Sequence, residues 1–227
     1  MAYEEAAPGS NRVGKMVLEV PHHWQKSEHW GLDAEEARRI CALICLKIVL
    51  DYKNAVASDT GHSLDDIKAA TLAHGGKTEN GWLHAAEVKT LRAQGLNAWR
   101  RDWNLPAEAE ATPLIDGYEP EQVQVFEAQK TAEAAILAPD ERAKQSIIDS
   151  ITQDCPVIAS VAPGFSENGG PHQVVIHGYD NDSGELNLFI TDPVIEDKAH
   201  QELHVSWQRF LEYFKYRAIF VGHLTEH

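Results

Sequence analysis

The chain has 227 residues, of which 43% are hydrophobic and six are tryptophan; that is enough to bury a full core in one domain and excludes a disordered segment. Its formal charge of −15 argues against nucleic acid and anionic membrane surfaces as partners. The start of the chain, Met1 to Glu5, lacks a basic region followed by an apolar run, so no signal peptide or transmembrane helix is expected, and a soluble, cytoplasmic protein is.

Residues 1–16 read as a loose leader. Val17-Leu-Glu-Val-Pro21 then alternates as a short strand stopped by proline, and His22-His23-Trp24-Gln25 follows. His22, His23 and His29 are close in sequence but share no ligand spacing and no accompanying carboxylate pattern, so no metal is expected. Arg39 to Tyr52, R-I-C-A-L-I-C-L-K-I-V-L-D-Y, is apolar on nearly every side of a helix and too short to cross a membrane. It is predicted to be a central buried helix. Cys41 is either in its first turn, where unpaired N–H groups and the dipole favour thiolate, or in the middle of a longer helix begun by the capping box Asp33-Ala-Glu-Glu36. Cys41, Cys45 and Cys155 make no disulfide framework and should stay reduced in the cytosol; an i, i+4 cysteine pair without two further ligands also fits zinc poorly.

Ser63-Leu-Asp-Asp66 is a second capping box, opening a helix that ends near Gly75-Gly76. Another helix opens at Gly81-Trp82-Leu-His84 and stops at Gly95, with Leu83, Val88 and Leu91 as its apolar positions; His84 reads as a packing or surface histidine, since nothing nearby in sequence would orient it. Leu96 to Trp103 is a candidate strand. Residues 106–139 turn to Ala and Glu and read as a helical insertion with a solvated face. Asp140 to Gln153 is a further helix, burying Ile147, Ile148 and Ile151.

The remainder is strand-rich. Pro156 to Val161 and His172 to Tyr179 are strands flanking a Gly/Pro-rich loop, Asp180 to Gly184 is a turn, and Glu185 to Thr191 is a third strand. Ser206 caps a helix to Phe214, and Arg217 to Val221 closes the chain as a strand. Helices come first and an antiparallel sheet second, an α+β arrangement.

Pairing the two strands about the 180–184 turn sets His172, at the start of one, beside Asp192, at the end of the other. A carboxylate that fixes an imidazole tautomer makes a general base, and a cysteine at a helix N-terminus facing that edge would complete a nucleophilic set. Read separately, His172 could be a strand-end histidine and Asp192 a turn former before Pro193.

Taken together, V-P-H-H-W-Q, C-A-L-I-C-L-K-I-V-L-D-Y, G-W-L-H, C-P-V-I-A-S-V, G-G-P-H-Q-V-V-I-H-G-Y-D and I-T-D-P resemble, in order and spacing, the blocks of the bacteriocin-processing, double-glycine-type peptidases of the papain-like clan. The resemblance runs from about Val17 to Val221, with 106–139 as an insertion. It implies a papain-like fold with Cys41 as nucleophile, His172 as general base, Asp192 as orienting acid and Gln25 as an oxyanion donor beside the backbone N–H of Cys41. It also implies that the central helix begins near Cys41. Where that family has glycine after the nucleophile, this chain has Ala42. The expected function is a cysteine peptidase that cleaves a peptide or isopeptide amide through a thioester, with no cofactor. A thioester-based acyltransferase and a papain-like binding module whose chemistry has lapsed are the alternatives.

Overall fold

The structure is a computed structural model describing residues 14–26, 30–32, 37, 39–54, 62–78, 81–104, 138–162, 165, 172–196 and 202–222. The calls on residues 1–13, on His29, on Asp33–Glu36 and on most of the 106–139 insertion lie outside these residues.

The organising element is α1 (Cys41–Asn54). Leu43, Ile44, Leu46, Ile48, Val49 and Leu50 are fully buried in it, worth on the order of 10 kcal/mol of apolar transfer before entropic costs. Lys47 sits in this buried stretch because its charge is met: Nζ donates to Asp51 Oδ2 at 2.8 Å and to the His62 carbonyl at 2.7 Å. Against α1 pack α2 (Leu64–Ala73) and α3 (His84–Ala93). Ser63 caps α2 by accepting the Asp66 N–H at 3.1 Å, as its capping box requires. A two-residue hairpin, β2 (Lys77–Thr78) with β3 (Gly81–Trp82), joins α2 to α3.

The other layer is one antiparallel sheet. Its strands are β1 (Lys15–Val17), β4 (Asn97–Asp102), β5 (Val157–Val161), β6 (His172–Asp180), β7 (Asn187–Thr191), β8 (Glu202–Ser206) and β9 (Phe214–Gly222). The order is β4-β9-β5-β6-β7-β8, with β1 also paired to β6. Side chains alternate across this sheet. Ile158, Val175, Ile219 and Val221 join the α1 core, while Val157, Ala159, Val174 and Ile176 face a second core with Ile147 and Ile151 of α4 (Pro139–Thr152) and Phe210 of α5 (Trp207–Leu211). Burial on both faces explains why β5 and β6 read as near-continuous apolar runs. Gly178 lets β1 approach, since a Cβ there would lie 2.7 Å from the Met16 carbonyl oxygen.

The α+β arrangement of helices against an antiparallel sheet is as expected, with several local corrections. Lys15 and Met16, assigned to the leader, belong to β1, and the strand expected over 17–21 stops at Val17. The helix from Ser206 ends at Leu211, because Phe214 already pairs with Val161. Strand β8 and the β2–β3 hairpin went unforeseen. Two strands of the helical half, β1 and β4, enter the sheet rather than leaving it wholly to the C-terminal half.

Candidate active site

α1 begins at Cys41. Ile40 is outside the helix and its carbonyl accepts the Ile44 N–H at 3.0 Å, so the alternative of a helix running through Cys41 does not hold. The cysteine therefore sits at the dipole's positive end, and no acidic residue in the first turn offsets it. Its side chain is nearly buried, at 8% exposure.

His172 opens β6 and Asp192 follows β7 directly. The predicted hairpin exists, from Asp180↔Asn187 to Val175↔Thr191, and it brings His172 Nε2 to 2.8 Å from Asp192 Oδ1. The same oxygen accepts the Val194 N–H at 2.9 Å. Asp192 is thus both a turn former around Pro193 and the histidine's partner; the two readings are one arrangement. It is fully buried, and His172 is 6% exposed.

Burial alone would push the His172 ring toward neutrality. It is outweighed by hydrogen bonds to Asp192 and to Cys41, together with their charges, and the ring's pKa rises from 6.5 to about 10. Cys41 and the His172 ring are therefore electrostatic neighbours. With Nε2 held by the carboxylate, Nδ1 is the nitrogen left for the sulfur.

Gln25 is fully buried on the segment before α1. Its backbone N–H donates to the Pro193 carbonyl at 2.8 Å, and the Trp24 indole donates to the Val194 carbonyl at 3.1 Å. The turn that fixes Asp192 therefore also fixes Gln25. Among the described residues, neither side-chain atom of Gln25 has a partner, an expensive state for a buried amide and one that a ligand oxygen would relieve.

The remaining candidates fall elsewhere. His23 Nε2 lies 2.7 Å from Asp51 Oδ2, so it ties the Trp24–Gln25 segment to α1. Burial raises the Asp51 pKa, yet the His23 and Lys47 hydrogen bonds hold it below 3.8. Cys45 is fully buried, and desolvation, followed by the charges of Cys41, Asp192 and Glu87, raises its pKa well above 9.0; it is a packing thiol. His84, expected to have no orienting neighbour, has one: its Nε2 is 2.8 Å from Ser160 Oγ. Sequence reasoning missed Glu87 and Gln173, a fully buried carboxylate and a buried amide bonded at 3.0 and 3.1 Å. Their signal was the helical spacing His84, Glu87, Val88, Leu91, which puts Glu87 on the inward face.

A model of the Peptidase_C39 like family matches residues 17–219. The chain belongs to this family. Among solved structures, it is similar to a C39-like peptidase from Bacillus anthracis at 15% identity, covering 92% of this chain and 98% of that one with a TM-score of 0.51. UfSP from C. elegans is similar at 12% identity, with 93% of this chain and 34% of that one covered and a TM-score of 0.50. A double glycine motif protease from an AMS/PCAT transporter, in complex with a leader peptide, is 17% identical over 93% of this chain and 97% of that one, with a TM-score of 0.48. No curated protein matches. Like its C39 relatives the chain has the papain-like fold, and no helix among its described residues is long and apolar enough to cross a membrane.

Proposed function

We propose that this C39-like chain is a cysteine peptidase that hydrolyses a peptide or isopeptide amide, with Cys41 as nucleophile, His172 as general acid and base, Asp192 as its orienting partner and Gln25 as oxyanion donor. The observation that carries the reading is the 2.8 Å His172–Asp192 pair, with Cys41 acting on the same ring to raise its pKa. At neutral pH the ring is an imidazolium, and the sulfur reacts as its thiolate, the nucleophilic form. That thiolate attacks the amide carbon. The carbonyl electrons move onto oxygen, where the Gln25 Nε2–H and the Cys41 backbone N–H stabilise them. His172 gives its Nδ1 proton to the leaving amine as the C–N bond breaks, leaving a thioester. Water then adds with His172 as base, the C–S bond breaks, and the sulfur departs as thiolate. None of these steps needs a cofactor.

Catalysis by thiolate suits a reducing compartment, which for this chain we take to be the cytoplasm. The test is the rate of Cys41 alkylation by iodoacetamide against pH, read by mass spectrometry, in the native chain and in His172→Ala. Rapid labelling well below the ordinary thiol range of about pH 8.5, slowed in the variant, is expected. An ordinary thiol profile in both proteins would overturn the reading in favour of a lapsed binding module. If labelling behaves as expected, products formed with added amines separate hydrolysis from acyl transfer.

A further inference from the structure

Beyond Gln25, Cys41, His172 and Asp192, the seam between α3 and the sheet holds polar groups that the mechanism does not use. Glu87 is fully buried, and its carboxylate meets Gln173 Nε2 through both oxygens. Gln173 directly follows His172. This end of β6 needs an anchor: β7 pairs with β6 only from Val175 onward, so His172 and Gln173 are laddered on one edge alone, to Val161 and Ser160 of β5.

We propose that Glu87 is a positioning residue of the site, which through its pair with the Gln173 amide fixes the first residues of β6 and so the His172 ring. The proposal rests on the catalytic reading of His172. The geometry favours the neutral acid. Among the described residues no cation bears on Glu87 and Gln173 Oε1 has no partner. An Oε–H on Glu87 supplies that partner after a small turn of the amide, giving a side-by-side acid and amide pair with both Gln173 atoms engaged. A carboxylate leaves Oε1 orphaned and puts an uncompensated charge in the core.

Among the described residues, the groups around Glu87 add no positive charge to it. Cys45 of α1 feels the charge of Glu87 together with those of Cys41 and Asp192. Thr71 of α2 is an uncharged hydroxyl bonded to Thr90. On its own helix, His84 is held neutral, with Arg100 of β4, Arg217 of β9 and Asp102 around it. Desolvation, opposed by the Gln173 hydrogen bond, lifts the Glu87 pKa from 4.5 to about 7. The tether therefore engages both Gln173 atoms below neutrality and the Gln173 Nε2–H alone above it.

Two measurements test this. Cys41 alkylation is compared among the native chain, Glu87→Leu and Glu87→Gln, each checked for cooperative melting, and the His172 ring-nitrogen shifts are followed by NMR against pH. Expected is a roughly tenfold loss of the His172-dependent rate in Glu87→Leu, with Glu87→Gln, whose amide can still pair with Gln173, within about twofold of native. In the native chain the His172 signals should pass through an inflection near pH 7, absent in Glu87→Gln, that is separate from the ring's own titration near 10. A native rate in folded Glu87→Leu, or equal damage from both substitutions, overturns the proposal. If Glu87→Leu does not fold, the NMR titration decides, and native His172 signals flat around pH 7 overturn it. Alkylation independent of His172 in the native chain would instead sink the catalytic reading, while the inflection still reports whether Glu87 is coupled to β6.

Discussion

His84 and His172 belong to the same sheet system and are driven in opposite directions. His84 stands at the start of α3 against Ser160 of β5, a hydroxyl that can satisfy the ring without charging it. Burial, together with Arg100 and Arg217, lowers its pKa to about 4. His172 stands at the start of β6 against a carboxylate and a thiol, and these lift it to about 10 despite its burial. Burial penalises charge in both; the partner decides whether the penalty is overcome. A buried histidine is equipped for proton transfer to a thiol only where an acid holds it charged, and among the described residues that describes His172.

The sharpest way to break this contrast is to delete each ring in turn. His172→Ala should lower hydrolysis of a fluorogenic peptide mixture by about 10²–10⁴-fold. His84→Ala should change it by less than about threefold, since its ring meets the Ser160 hydroxyl. A large loss in His84→Ala with His172→Ala nearly intact would reverse the assignment.

What the sequence made legible follows the same division. His172 and Asp192 could be paired in advance because a turn with Gly184 fixes the β6–β7 register, and register fixes which strand ends meet. The start of α1 could not be read from its apolar pattern, which fits a helix beginning at either Cys41 or Asp33; the family resemblance favoured Cys41, and the Ile40 carbonyl accepting from Ile44 marks the boundary. Glu87 was passed over because a helical glutamate among alanines reads as solvated. Its place on the His84–Leu91 stripe was visible, but its partner Gln173 lies 86 positions away, beyond local pattern. Strand β8 is short, and its neighbours across the ladder belong to β7 alone; an edge strand carries a weak hydrophobic signature.

The contrast also predicts two limbs of stability against pH. His84 folds with a pKa near 4 against an ordinary 6.5, so the unfolded chain takes up its proton first. The stability present above 6.5 is lost as pH falls toward 4. His172 folds near 10 against 6.5, so its contribution is full below 6.5 and lost as pH rises toward 10. Urea unfolding midpoints across pH should show a flatter limb between 6.5 and 4 in His84→Phe and a flatter limb between 6.5 and 10 in His172→Ala. Asp51 acts only below 3.8, while Glu87, raised from 4.5 to about 7, gains stability as pH falls and opposes the His84 limb, so that limb is read as the difference between the native chain and His84→Phe. An acid limb unchanged in His84→Phe would mean that the ring is not held neutral.

The smallest expected effect concerns Ala42, the residue that departs from the family's glycine. Its side chain is 3% exposed in the first turn of α1. Ala42→Gly should therefore cost about 0.5–1 kcal/mol of stability, through lost helix propensity, and lower the urea midpoint accordingly. Cys41 alkylation and peptide turnover should stay within about twofold of native. A small alkylating reagent and a peptide make different steric demands at the same sulfur. A tenfold gain in turnover with alkylation unchanged would therefore show that the methyl crowds the peptide carbonyl, and the chain would then be a peptidase restrained at its own nucleophile.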